Sequence, residues 1–407
     1  VLTVEPARRP RRSAGKLALA LAGGGPLGAF YELGALHALS ESIEGRELTE
    51  LDVYVGVSSG SLIAAGLANG FDTTALGAMF IHDQSTLFPF SPAILLQPAW
   101  REYLGRLGLL PQVLTGFVRQ CARDPLGGWR AWVGTLGRLL PTAAFDNRPM
   151  QRHLQAMFSG SGRTDDFRRL RSRLYVVATN LNTGASMHFG EPGHDRVPIS
   201  RALLASTALP GLYPAVEIGG ESYVDGALIR TMHASLALEA GCDLVICVNP
   251  LVPFDAARVR SARHADLARE GLPAVLMQTF RSLIYSRMKV GMASYGARFP
   301  AADTLLFEPE RHDELLFFAN VFRYADRQRL ADHAYQRTRR DLLARADVLA
   351  PLLQRHGLGL NLPMLRRRRS FSTAAEERAR RARQAPRRLD RALQRLERTL
   401  ASPRDTG

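Results

Sequence analysis

Between residues 17 and 69 the chain runs twice through one pattern: a short apolar run, a turn containing glycine or serine, then a stretch with helical spacing. Residues 17–22 alternate leucine and alanine and lead straight into Gly23-Gly24-Gly25. An uncharged run this short predicts a strand buried on both faces of a parallel sheet. Residues 28–40 place Phe30, Leu33, Leu36 and Leu39 three apart, which predicts a helix. Residues 52–57 predict a second strand, and the small side chains of 59–69 a second helix suited to close packing on a sheet. Strand, tight turn and helix, repeated, specify an α/β fold.

The remaining periodicity predicts strands at 173–179, 243–249 and 304–308, and a hairpin over 215–225. It predicts helices over 199–208, 230–240, 265–295, 313–345 and 347–356. Residues 72–160 carry no strand signal. They hold Trp100, Trp129 and Trp132 and the run Leu87-Phe88-Pro89-Phe90, and are expected to form a helical cap. The expected organisation is a basic N-terminal arm (1–16), a catalytic core (17–250) with the cap inserted at 72–160, a mainly helical completion (251–365) and an arginine-rich tail (366–407).

A hydrophobic fraction of 46% over 407 residues excludes a disordered or fibrous chain. The net charge of +15 resides mostly at the two ends. Residues 1–16 hold Arg8, Arg9, Arg11, Arg12 and Lys16 against Glu5, and residues 366–407 hold 14 arginines against five acids. The body between is close to neutral. Arg366–Arg369 is the run most suited to nucleic acid, but no nucleic-acid motif accompanies it, so nucleic acid is not an expected partner. In the tail, Leu389, Leu393, Leu396 and Leu400 make an apolar stripe among arginines, which fits peripheral contact with an anionic membrane. The arginines at 8–12 before the apolar run imitate a secretory signal, yet six apolar residues are too few for one. No run of 18 residues is free of charge, so no membrane-spanning helix is expected. Cys121, Cys242 and Cys247 are too few for a disulfide framework and lack metal-ligand spacing. Reduced thiols and a cytoplasmic location, with a membrane surface within reach, are the expectation.

Three motifs carry chemistry. Gly56-Val57-Ser58-Ser59-Gly60 lies between a strand and a helix, the geometry of a nucleophile elbow. Glycines flank a turn too sharp for side chains, and Ser58 would stand at a helix N-terminus, where a developing anion is favoured. Gly23-Gly24-Gly25-Pro26-Leu27-Gly28 fits a dinucleotide fingerprint in spacing, but the second strand ends in Val57-Ser58-Ser59, with no acid to hold a ribose. An oxyanion hole suits it better, because glycines leave backbone N–H groups open to substrate. Asp225-Gly226-Ala227 ends a predicted strand. A lone Asp-Gly is most often an ordinary turn, but Asp225 in contact with Ser58 would serve as a partly desolvated base. The order Ser58, Asp225, His233 mimics a hydrolase triad, yet His233 is expected on a helix with no evident route to joint contact.

In this order the three motifs resemble those of the patatin-like phospholipase family, and residues 178–184 and 205–227 are similar to it as well. The resemblance extends over roughly 17–250. It implies an α/β fold built as a three-layer α/β/α sandwich, with a helical insertion and a helical C-terminal extension. It also implies hydrolysis of fatty acyl esters of phospholipids or lysophospholipids at a membrane or droplet surface, by a Ser–Asp dyad with neither metal nor cofactor. Carried onto this chain, Ser58 is the nucleophile and Asp225 the base. The oxyanion group is Gly23, Gly24, Gly25, Gly28 and Ser59, and Gly56, Gly60 and Gly226 are motif glycines. Leu27 stands where many relatives carry Arg or Lys and is similar to the triacylglycerol-lipase branch. A neutral acylglycerol lipase, an acyltransferase and a catalytically silent lipid-binding protein are the alternatives.

Overall fold

The computed structural model describes residues 1–9, 15–81, 92–108, 110–123, 141–258, 266–319, 323–374 and 377. Its strands, in chain order, are β1 (Leu2–Glu5), β2 (Lys16–Leu21), β3 (Ile43–Glu44), β4 (Val53–Val57), β5 (Arg173–Asn180), β6 (Ser186–Phe189), β7 (Val216–Ile218), β8 (Glu221–Asp225), β9 (Cys242–Val248), β10 (Asp303–Phe307) and β11 (Gly359–Leu360). Nine of them form one sheet in the order β1-β10-β9-β2-β4-β5-β8-β7, with β6 pairing β5. The five central strands from β10 to β5 are parallel. β1, β6, β7 and β8 add antiparallel pairings around them. β3 and β11 form a separate two-stranded ribbon.

The alternation in 17–22 sorts large and small side chains onto opposite faces of the sheet, because successive Cβ atoms along a strand point to opposite sides. Leu19 and Leu21 enter the larger core with Leu33 and Leu36 of α1 (Gly25–Ser42) and Ile63 and Leu67 of α2 (Ser59–Ala68). Ala18, Ala20 and Ala22 face the other way, onto Leu236, Met288 and Met292 of the helices Ala234–Glu239 and Leu272–Arg298. Helices therefore cover both faces of the sheet, giving three layers. Cys242 and Cys247 are free, buried thiols in the second core, and burial pushes the Cys242 thiol up to about 12. The side chain of Cys121 lies outside the described residues.

Several elements differ from expectation for visible reasons. α1 begins three residues early, at Gly25, because Pro26 is tolerated in the first turn, where its missing N–H has no partner to lose. The expected helix 313–345 is two pieces, Glu314–Phe318 and Tyr324–Ala344, with Ala319 extended at the end of the first. The expected helix 230–240 shrinks to Ala234–Glu239, and 265–295 becomes Leu272–Arg298. The hairpin is β7–β8, turning on Gly219 (φ 62°) and Gly220 (φ 84°), both in the left-handed region that tight hairpins need. The described part of the insertion is helical: α3 (Thr73–Phe80), Trp100–Leu107, Leu110–Arg123 and Arg148–Phe158. Leu87–Phe90, Trp129, Trp132 and the leucine stripe at 389–400 lie outside the described residues. Among the described residues no helix is long and apolar enough to cross a membrane.

Both ends contribute to the fold. Leu2–Glu5, expected in a basic arm, is the edge strand β1 on β10. The start of the expected arginine-rich tail folds back over α1. Arg369 pairs with Glu41 at 2.9 Å, both side chains nearly buried. Phe371 is fully buried, its ring edge-on to His37 at 5.3 Å. Arg339 donates to the carbonyls of Met364 (2.9 Å) and Leu365 (3.1 Å), satisfying acceptors left open at the end of the helix Leu362–Arg366. A solvated tail would tolerate any substitution, whereas a buried aromatic would not. Phe371→Ala is therefore expected to cost about 3–5 kcal/mol of unfolding free energy, read as a lowered midpoint in urea denaturation.

Candidate active site

β4 ends at Val57 and α2 begins at Ser59, so Ser58 alone makes the turn. It has φ 51° and ψ −127°, the only positive φ outside glycine among the described residues. Holding a side-chain-bearing residue there costs on the order of 1–3 kcal/mol, and the surrounding packing enforces it. A Cβ on Gly56 would lie 2.3 Å from Cα of Ser61, and one on Gly60 would lie 2.5 Å from the carbonyl oxygen of Ala22. The elbow thus closes on itself and on β2, and only glycine fits at either position. The Ser58 N–H donates to Ser206 Oγ (2.9 Å), and that hydroxyl donates to Val177 O on β5 (2.5 Å).

Sheet register brings the carboxylate to the serine. Val57 pairs with Val177 across β4–β5, and Ala178 pairs with Asp225 across β5–β8. The end of β8 therefore lies beside the end of β4 with one strand between them. Ser58 Oγ donates to Asp225 Oδ2 at 2.6 Å. Asp225 Oδ1 accepts the Ala227 N–H at 2.8 Å, the Asp225 N–H donates to Ala208 O (3.0 Å), and Thr179 Oγ1 donates to the Asp225 carbonyl (3.1 Å). A Cβ on Gly226 would meet Val177 O at 2.3 Å, so glycine lets this turn press against β5. Asp225 is 3% and Ser58 7% exposed. Burial pushes the Asp225 carboxyl up to about 6, more than the hydrogen bonds from Ser58 and the Ala227 N–H pull it down.

The expected oxyanion residues divide by what their N–H groups do. Gly23 donates to Thr231 O (3.1 Å) and Gly28 to Gly24 O (3.1 Å), so these two shape the loop and offer no donor. The Gly24 N–H donates to Ser59 Oγ (3.1 Å), tying the glycine loop to the start of α2. Gly25 (φ 62°) and Ser59 are the first residues of α1 and α2, where N–H groups have no acceptor within their own helix. Two helix N-termini, positive dipole ends both, thus meet beside Ser58.

His233 is buried against His188, the rings 5.6 Å apart, and burial lowers its pKa to about 3. The Asp225 carboxylate is engaged by Ser58 and Ala227, not by an imidazole. Leu27 packs on the larger core. Among the described residues no three His, Cys, Asp or Glu side chains are grouped to hold a metal. Ser206 and Thr231, which fix the elbow and the glycine loop, were missed from sequence. Ser206 falls within the stretch 205–227 already singled out, but a serine in a helix gives no sign that it clamps a distant N–H.

A family model described as patatin-like phospholipase matches residues 19–238. A cGAMP-activated phospholipase of Pseudomonas aeruginosa (strain BWHPSA011 / Pa011) is 27% identical over 218 residues. The match covers 52% of this chain and 52% of that protein, so the chain spans about half the relative's length. Two solved structures are similar in part, each 17% identical. VipD from Legionella pneumophila has a TM-score of 0.33, covering 63% of this chain and 55% of that one. The type III effector protein ExoU has a TM-score of 0.28, covering 84% and 66%.

The strain at Ser58 has a measurable signature. Ser58→Gly, which removes the Cβ, is expected to melt about 1–3 °C above Ser58→Ala. Differential scanning calorimetry of the pair reads the difference directly.

Proposed function

The chain belongs to the patatin-like phospholipase family, and on that premise we propose that it hydrolyses fatty acyl esters of phospholipids or lysophospholipids with Ser58 as nucleophile and Asp225 as its base. The observation that carries this reading is the 2.6 Å hydrogen bond from Ser58 Oγ to a buried carboxylate. A serine hydroxyl is a weak nucleophile until a base takes its proton, and Asp225 is within reach to do so. Ser58 Oγ attacks the ester carbonyl while its proton passes to Asp225. The carbonyl oxygen becomes an oxyanion, stabilised by N–H groups at the starts of α1 and α2, Gly25 and Ser59, with Gly24 joining if it leaves Ser59 Oγ. The C–O bond then breaks, the leaving alcohol takes the proton from Asp225, and the acyl group stays on Ser58. Water, deprotonated by Asp225, attacks this ester, and the fatty acid departs as Ser58 regains its proton.

A fluorophosphonate probe is expected to label the native protein and not Ser58→Ala; equal labelling of both would remove Ser58 from the mechanism. Asp225→Asn is expected to lower kcat about 10²–10⁴-fold, the usual contribution of a positioned base. Products from phosphatidylcholine, lysophosphatidylcholine and triacylglycerol separate phospholipid from neutral-lipid hydrolysis. Added glycerol reveals acyl transfer if a new ester forms.

The base must be ionised to act, and its pKa is raised to about 6. Activity is therefore present above that value and lost below it. The expected profile of kcat/KM rises with unit slope through about pH 6, whereas a carboxylate of ordinary pKa would place the limb near 4.

A further inference from the structure

The helix Leu272–Arg298 is apolar on two faces about a third of a turn apart. Its inner face is buried, with Met288, Met292 and Tyr295 in the core beneath the sheet and Ile284 buried one turn before them. Its outer face carries Leu272, Leu276, Phe280, Leu283 and Val290, with Leu272 68%, Leu283 61% and Val290 72% exposed. At 3.6 residues per turn these five side chains fall on one side of the helix. A helix apolar on both faces belongs between two apolar phases, and among the described residues only one of them is supplied.

Two observations identify the second phase. First, the 27-residue helix contains no aspartate or glutamate, and exposed Arg287 falls within the arc of the stripe itself, with Lys289 exposed beside it along the chain. An apolar stripe that carries exposed cations and no acid complements an anionic lipid surface. Second, the helix points its apolar half toward the end of the sheet that holds Ser58. Gln278 bonds both backbone groups of Phe254 (3.0 and 2.6 Å), in the loop leaving the carboxyl end of β9, the end at which β4 delivers Ser58. The buried Arg281 guanidinium bonds Val252 O (3.3 Å) and sits 4.7 Å from the Phe317 ring, locking the helix to the same loop. Exposed Leu209 and Leu212 lie at this end too, just after Ala208, whose carbonyl holds the Asp225 N–H.

We propose that the outer face of Leu272–Arg298 is a lipid-docking surface that beds into the headgroup layer of an anionic membrane and sets the Ser58 end of the sheet against it. This rests on the lipid-hydrolase reading for its purpose, but it is tested apart from catalysis. The Ser58→Ala protein and the same protein carrying Leu276→Asp and Leu283→Asp are floated with vesicles of phosphatidylcholine, alone or with one-third phosphatidylglycerol. The parent is expected to partition onto the phosphatidylglycerol vesicles and the substituted protein at least tenfold less. Arg287→Glu is expected to weaken binding to those vesicles several-fold and to leave phosphatidylcholine vesicles unaffected. With Ser58 present, the ratio of vesicle turnover to turnover of a monomeric water-soluble ester is expected to fall in parallel. Equal vesicle binding by parent and variant would overturn the proposal. So would a parent dimer, seen by sedimentation, that the two aspartates dissociate without changing vesicle binding. Vesicle binding lost on substitution in a protein that cleaves no ester would uphold the docking surface and refute the hydrolase reading alone.

Discussion

The hydrogen bond between Ser58 and Asp225 joins residues 167 positions apart, and most of the architecture can be understood as what that bond requires. Parallel β4 ends at the elbow, antiparallel β8 ends at the carboxylate, and β5 between them sets the register for both. A slip of one residue in either pairing would turn the side chain to the opposite face and break the contact. The residues around the pair act on the same geometry. Ser206 holds the Ser58 N–H, Thr179 and Ala208 hold the Asp225 backbone, and Gly226 lets the turn press on β5.

Two costs are concentrated at that point. Ser58 occupies a backbone region that suits glycine, and Asp225 is a carboxyl taken out of water. The Ser58 backbone bonds would be satisfied as well by glycine, whereas the buried Asp225 carboxyl is held by the Ala227 N–H and the Ser58 hydroxyl. Such local conflict with stability is what the proposed chemistry would require, since a nucleophile and its base must be held in place before any ester arrives.

Much of this was legible beforehand. The leucine–alanine alternation at 17–22 fixed a buried strand, because strand periodicity is local. The glycines at 56 and 60 marked the elbow, because close approach excludes any Cβ. Other features depended on distant partners. Residues 2–5 carry no signal of strand pairing until β10, some 300 residues later, supplies the ladder. The split near Ala319 and the burial of Phe371 are decided by packing that no short window contains. The run of glycines at 23–28 marks a loop before α1 but not which of its N–H groups are already spent, since Thr231 and Ser59 lie in other segments.

The latch of Arg369 and Phe371 over α1 has a consequence for the order of events during synthesis. α1 starts at the glycine loop, yet part of the core it packs against is translated more than 300 residues after it. The edge strand β1 likewise waits for β10 before it can join the sheet. A nascent chain thus holds Ser58 long before the packing around α1 is complete. The packing of α1 therefore closes only after the chain through Phe371 has been made, so the helix that follows the glycine loop gains its last support late in folding.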